Sequence, residues 1–381
     1  MRVLYVGPYR DGIGYGEACR QYITALDKAG VEVACRPLKF TDRRSPVPDR
    51  IAELEKRKFD SYSHLIQHAL PWYFARCGEV DVNVGMTYME TSPVPVEWRH
   101  MCEQLDGIIA CDHEMRDDMR RASIPCEVVP MPCDVNRFAG ERKMLPQLQR
   151  VKEGGYFLFY TLGELVHRKY LDGLLQAFFA EFHQNEPVKL VVKTSAGTVG
   201  KEGIIQQVGQ HVHKVRQAML FPPETDQVVV VGDWLSDGEV LDLHHTCDCF
   251  VQVSTGEAWS IPAFDAMAMG RTPIVTDDGG YREFIDEDTG WLVPGRQEHS
   301  TGNEPYYPDL FSSRQLWTKP DLLQLRRMLR QAYEDSELRQ RKAEAGIQRT
   351  SLFSYERAGK RLVEVLEKYG EEKRQRVAGS P

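Results

Sequence analysis

Residues 254–284 read STGEAWSIPAFDAMAMGRTPIVTDDGGYREF. They follow an apolar run, Cys249 to Val253, that reads as a buried strand. Pro262 is placed as a first-turn helix proline, and Ala263 to Met269 continues with good helix formers. The pattern predicts a strand, a loop carrying Glu257, and a helix that begins near Ile261 with Asp265 in its first turns. Unsatisfied backbone N–H groups at that start, near Ser260 and Ile261, favour an anion. Carboxylates flanking it accept hydrogen bonds from sugar hydroxyls. One loop can then hold a sugar, a diphosphate and a ribose.

This segment resembles the donor site of retaining family 4 glycosyltransferases of the GT-B fold. Their signature is a Glu, seven residues, and a second Glu; here the spacing is kept and the second acid is Asp265. Gly270-Arg271-Thr272-Pro273-Ile274-Val275 and Gly279-Gly280-Tyr281-Arg282-Glu283 match the same family pattern. The resemblance implies that Glu257 holds sugar hydroxyls and Asp265 ribose hydroxyls, with Asp one methylene shorter than Glu.

Length and composition fit such a protein. At 381 residues the chain is long enough for two domains. With 42% hydrophobic and 27% charged residues it is ordinary for a soluble globular chain. No apolar run approaches the roughly 20 residues that span a bilayer, and the first residues run straight into a strand pattern rather than a signal peptide. A cytoplasmic location is the expectation. The net charge of −8 gives no basic bias toward nucleic acid. Nine scattered cysteines read as reduced thiols. His244, His245, Cys247 and Cys249 match no common zinc spacing. Arg43-Arg44 and Lys56-Arg57-Lys58 are the best basic candidates for peripheral membrane contact; interrupted by acids, they read as solvated surface.

Strand and helix patterns alternate along the chain, which implies parallel sheets. In the first half, strands are expected at 3–6, 31–35, 80–84, 107–110 and 128–129, and a helix at 17–28. Residues 37–50 read as a mobile loop and 140–155 as an interdomain linker. The second half repeats the alternation, with strands at 156–160, 188–193, 228–231, 248–253 and 273–276. Its helices are expected at 171–183, 237–245 and 262–269. The expected fold class is α/β, two Rossmann-like doubly wound domains facing across a cleft. The domains are 1–145 on the acceptor side, 146–352 for the nucleotide-sugar, and 353–381. That last segment is an amphipathic helix over 354–368 which, by the resemblance, crosses back to the first domain, followed by a frayed tail after Glu371.

Asp11-Gly12-Ile13-Gly14-Tyr15-Gly16-Glu17 follows the first strand; a dinucleotide fingerprint needs its third glycine where Glu17 stands. In GT-B enzymes similar loops lie under the sugar and diphosphate, which marks Gly14; the alternative is a plain turn. Met86-Thr87-Tyr88-Met89-Glu90-Thr91-Ser92-Pro93 places Glu90 where many family members carry a His that contacts the sugar. The alternative is a helix cap by Thr91 or Ser92. His113-Glu114 lacks the second His of a zinc motif and reads as a helix start. Val135-Asn136-Arg137-Phe138 matches a common family loop and is read as structural.

Gly163-Glu164-Leu165-Val166-His167-Arg168-Lys169-Tyr170 follows the family pattern of Gly-Arg with a Lys five residues on. Lys169 is that Lys. Glu164 replaces the Arg, and Arg168 is expected to compensate; Glu164 is expected to point away or pair with it. Cations here stabilise the departing diphosphate. Trp234 or the Leu235 backbone is expected beside the nucleobase; core packing is the alternative for Trp234. Asp286-Glu287-Asp288 is a literal D-x-D in a turn setting, and no metal or other cofactor is expected.

The expected function is a retaining, metal-independent hexosyltransferase. Its donor is a nucleotide-diphosphate sugar, with GDP-mannose leaned to over UDP-sugars on the resemblance alone. The acceptor is a glycan or lipid-linked sugar. Glu257, Lys169 and Glu90 are the expected catalytic residues. A nucleotide-sugar-binding pseudo-enzyme, a GT-B-type epimerase and, remotely, an NAD(P)-dependent oxidoreductase are the alternatives.

Overall fold

The structure is a computed structural model that describes residues 1–222, 224–300 and 311–378. The chain divides into two compact units: Met1–Asn136 with Ser351–Pro381, and Arg137–Thr350. Parts of the expected second domain (301–310) and tail (379–381) lie outside the described residues.

The first unit holds six parallel strands: β1 (Arg2–Gly7), β2 (Glu32–Pro37), β3 (His64–His68), β4 (Val82–Met86), β5 (Gly107–Ala110) and β6 (Cys126–Val128). Their order is β2-β1-β3-β4-β5-β6. Val3 of β1 lies in register with Val33 on one side and His64 on the other. Parallel neighbours require crossovers, provided here by α1 (Gly14–Lys28), α2 (Asp49–Lys56), α3 (Val96–Glu103) and α4 (His113–Arg121). Asp112 caps α4, its side chain accepting from the Met115 N–H at 2.8 Å, so His113 is a helix-start residue. The N-cap of α3 is Pro95, without a side-chain bond. The alternative of a cap by Thr91 or Ser92 therefore does not hold for that helix.

The C-terminal helix, Tyr355–Ala378, belongs to this unit and runs past the expected end at Lys368. Its Tyr369 hydroxyl donates to the Ile108 carbonyl of β5 at 2.6 Å. Arg361 and Lys368 both bond Glu127 of β6, at 2.9 and 2.6 Å.

The second unit repeats the plan with β7 (Phe157–Glu164), β8 (Val188–Ser195), β9 (Val228–Val231), β10 (Cys249–Gln252), β11 (Pro273–Thr276) and β12 (Trp291–Val293). The order is β12-β11-β10-β7-β8-β9, all parallel. Its helices are α5 (Gln149–Glu153), α6 (Leu171–Glu181), α7 (Lys201–Ala218), α8 (Asp237–Thr246), α9 (Ile261–Ala268), α10 (Leu322–Glu334) and α11 (Ser336–Thr350). A two-stranded antiparallel ribbon, β13 (Gly295–His299) with β14 (Leu316–Pro320), completes it. Phe159, Phe178, Leu190, Val208, Val251 and Leu325 belong to one buried core. The expected linker, 140–155, lies within this unit, where Leu145 and Leu148 are fully buried. Among the described residues no helix is long and apolar enough to cross a membrane.

Each unit buries a histidine. His68 Nδ1 bonds the Tyr5 hydroxyl in the first, and His244 Nδ1 bonds the Tyr160 hydroxyl at 2.7 Å in the second. Burial pushes both imidazoles down to about 3; Arg137 and Arg271 add to the effect at His244. A folded-state value below the ordinary 6.5 means that the unfolded chain takes up protons first as pH falls. Stability is therefore full above about pH 6.5 and declines toward pH 3. Between pH 7.5 and 5 each histidine should remove about 2 kcal/mol. The paired variant Tyr5→Phe/His68→Phe removes both bonding partners together. It should show a shallower pH dependence of its urea midpoint than the parent; equal slopes would contradict the assignment.

Candidate functional site

The strand-loop-helix segment forms as its sequence dictates. β10 is buried along its whole length, and α9 starts with Pro262 in its first turn. Ser260 is the N-cap, in the left-handed region at φ 66°. Its hydroxyl accepts from the Ala263 N–H at 3.4 Å and donates to the Gln252 side chain. A non-glycine residue in that region is uncommon and is held there by its surroundings.

The Glu257 loop is braced from behind. The Gly280 N–H donates to the Glu257 carbonyl at 2.9 Å. A Cβ on Gly280 would lie 1.8 Å from the Ala258 carbonyl oxygen, so only glycine permits the approach. On the other side the Thr255 N–H donates to the Arg168 carbonyl at 2.8 Å, tying the loop to the short turn His167–Lys169.

Three expected site residues meet here. Arg168 Nη1 donates to Glu257 Oε1 at 2.8 Å and to the Gly256 carbonyl at 3.1 Å. Lys169 Nζ bonds the same Glu257 oxygen. The Glu257 side chain is 6% exposed, and those of Arg168 and Lys169 18% and 16%. Burial disfavours the Glu257 carboxylate, but Lys169 and then Arg168 outweigh it and hold its pKa below the usual carboxylate value. Two cations on one carboxylate leave the cluster with a net positive charge. Of the two expectations for Glu164, pointing away or pairing with Arg168, the structure shows the first. Glu164 is exposed at the end of β7, and Arg168 turns to Glu257.

Asp265 is buried in α9 and forms an ion pair with Arg137. The Arg137 guanidinium also lies 5.0 Å from the centre of the Phe138 ring. Reading Val135–Phe138 as structural therefore overlooked a side chain that meets an expected donor-site acid; nothing in the spacing of the sequence relates the two positions. Trp234 is 66% exposed, which removes core packing as its alternative, while Leu235 is buried. Asp286 of the D-x-D accepts from the backbone of Asp288 and Thr289 at 3.0 and 3.1 Å, a turn role.

Gly14 and Glu90 lie in the first unit. Gly14 is exposed at the start of α1, and a Cβ there would meet open space. A Cβ on Gly16 would meet the Asp11 carbonyl oxygen at 2.1 Å. Local packing thus demands glycine at 16 but not at 14. Glu90 is half-buried beyond the end of β4.

Residues 147–304 match the family model described as Glycosyl transferases group 1. No curated protein matches the chain by sequence. Among solved structures, the chain is similar to Anabaena HepE in complex with UDP and glucose. That match has 13% identity and a TM-score of 0.65, covering 97% of this chain and 100% of the other. Sucrose-phosphate synthase from Thermosynechococcus elongatus matches at 15% identity and a TM-score of 0.64, covering 100% of both chains. The E. coli trehalose-6-phosphate protein bound with UDP-2-fluoro glucose matches at 12% identity and a TM-score of 0.68, covering 96% of this chain and 99% of the other. At these identities the likeness shows the fold: two parallel-sheet α/β domains matching GT-B glycosyltransferase structures.

Gly280→Ala should lower stability by more than about 2 kcal/mol, because backbone rather than a flexible side chain blocks the methyl. Gly14→Ala should change it by less than about 1 kcal/mol. Urea unfolding of the two variants checks the contrast, and equal losses would contradict it.

Proposed function

We propose that the chain is a retaining, metal-independent hexosyltransferase of the family 4 type, using a nucleotide-diphosphate sugar. The observation that carries this reading is the Arg168–Lys169–Glu257 cluster beside the start of α9. A diphosphate is the anion such cations fit. Its oxygens compete with Glu257 for Lys169 and Arg168, and the released carboxylate accepts sugar hydroxyls. The helix-start N–H groups near Ser260 and Ile261 add donors.

In the proposed reaction an acceptor hydroxyl attacks the anomeric carbon on the face the diphosphate leaves. The bond from that carbon to the phosphate oxygen breaks, its electron pair stays on the phosphate, and the leaving phosphate takes the hydroxyl proton. Lys169 and Arg168 stabilise the charge that grows there, more in the transition state than before it. Glu90 and Gly14 serve the acceptor and sugar side. Trp234, with the Leu235 backbone, serves the nucleobase. Asp265 serves the ribose, steadied by Arg137. The acceptor is a glycan or lipid-linked sugar, and the setting is cytoplasmic.

GDP-mannose is preferred on the resemblance to family 4, whereas HepE was solved with UDP and glucose and the E. coli trehalose-6-phosphate protein with UDP-2-fluoro glucose, so the donor nucleotide is either GDP or UDP. A second reading is a protein that binds the nucleotide-sugar without turning it over. Asp265 and Glu164, where the family pattern has Glu and Arg, favour it.

A thermal-shift screen should show UDP or GDP raising the melting point, since a ligand bound only to the folded state stabilises it. Lys169→Ala should then lower kcat/KM for transfer by about 10²- to 10³-fold. An unchanged kcat/KM would remove Lys169 from the phosphate role. Nucleotide binding with neither hydrolysis nor transfer of any donor would favour the second reading.

A further inference from the structure

The carboxyl ends of four adjacent strands in the first unit carry a band of aromatic rings. Tyr15 follows β1, Phe40 follows β2, Trp72 and Tyr73 follow β3, and Tyr88 follows β4. Because the strand order is β2-β1-β3-β4, these loops are neighbours although they lie far apart in sequence. The rings touch in series. Tyr88 packs edge-on to Tyr15 at 4.8 Å, Tyr15 edge-on to Phe40 at 5.5 Å, and Phe40 stacks on Tyr73 at 5.1 Å and 26°. Trp72 lies 6.4 Å from Tyr73 and 6.3 Å from Trp98. The band grades from half-buried Tyr15 and Phe40 to Trp72 and Tyr73, which are 40% and 45% exposed. It is anchored at the inner end, where the Tyr15 and Thr87 hydroxyls share a hydrogen bond of 3.1 Å.

Large exposed aromatics in adjoining positions mark a binding surface. Their chemistry selects the ligand. An aromatic face carries negative charge density that attracts the positive C–H edge of another group, and one face of a pyranose is a set of such C–H bonds. The Tyr73 hydroxyl and the Trp72 indole N–H lie on exposed side chains, so the same surface offers polar groups to sugar hydroxyls. An anionic membrane would instead need unpaired cations beside the rings. The basic residues around Phe40 are largely neutralised: Lys39 pairs with Asp42 at 2.5 Å, Arg44 with buried Asp11 at 2.6 Å, and Arg10 with Glu55 at 2.7 Å.

We propose that Trp72 and Tyr73, backed by Phe40 and Tyr15, form a stacking platform for a neutral pyranose of the acceptor. This makes the acceptor a carbohydrate held by its sugar ring rather than by a lipid anchor. The identification of the sugar as acceptor rests on the transferase reading above; sugar binding by the platform does not. The rings already pack against one another, which reduces the ordering cost of binding.

The test uses the full-length protein labelled with 5-fluorotryptophan. Trp72→Phe identifies the Trp72 resonance among the six tryptophans. Methyl α-glucopyranoside, methyl α-mannopyranoside and maltotriose are titrated separately. At least one should move the Trp72 line saturably while the lines of Trp234, Trp259, Trp291 and Trp317 hold still, which also reports an intact fold. Tyr73→Ala should weaken the apparent Kd by about fivefold or more, the scale of one lost aromatic contact. Vesicles of equal phosphatidylcholine and phosphatidylglycerol should leave the Trp72 line in place. No response to any of the three sugars, or a response to the vesicles, would overturn the proposal. Calorimetry with UDP and GDP on the same sample keeps the two readings apart. If the sugar binds and neither nucleotide does, the platform stands and the transferase reading falls; the reverse result leaves the transferase reading and removes the platform.

Discussion

Burying Glu257 between two cations is the constraint on which the second unit's chemistry depends. A carboxylate withdrawn from water is costly unless paired and hydrogen-bonded. Lys169 and Arg168 supply that pairing from the turn after β7, and the loop after β10 supplies the partner. Because β7 and β10 are neighbours in the sheet, the two segments meet although nearly ninety residues separate them. The arrangement keeps positive charge in place where bulk water is largely excluded. It also keeps that charge from being an uncompensated burden when no anion is bound. Preorganised charge of this kind needs little rearrangement when a substrate's own charge grows.

The bracing residues explain why the loop keeps its form. Gly280 lets a backbone N–H reach the Glu257 carbonyl. The Thr276 hydroxyl donates to the Ser254 carbonyl at 2.7 Å, and the Tyr281 hydroxyl to the Gln252 carbonyl at 3.3 Å. These residues follow β10 and α9 in sequence and pack beneath the loop. The motif of two carboxylates is therefore only half of the device; the glycines and hydroxyls further along hold the loop to which the first of them belongs.

Much of this was readable in the sequence because periodicity and end signals agreed. The strands β9 and β11 fall on the expected residues, and α8 begins at a capping box of Ser236 and Glu239. β3 was missed because His64, Gln67 and His68 give it no apolar signature, yet all its residues are buried. Its polarity has partners that only tertiary structure provides: the Tyr5 hydroxyl for His68, and the Ala75 backbone for Gln67 at 2.9 Å. The expected linker failed for a similar reason. Its polar residues hid Leu145 and Leu148, which are fully buried in the second unit. At the site, the motif brought forward Glu257, Lys169 and Arg168, while the Arg137–Asp265 pair and the aromatic band needed the topology. Both join residues whose separation in sequence carries no period.

We propose that the Lys169–Arg168 pair is a diphosphate cradle whose charge Glu257 offsets in part until a donor arrives. Diffraction from crystals soaked with UDP and with GDP tests it most directly. Phosphate oxygens should lie within about 2.7–3.2 Å of Lys169 Nζ and the Arg168 guanidinium, with the Glu257 carboxylate released from at least one of them. A nucleotide bound elsewhere, or bound while Glu257 still holds both cations, would contradict it.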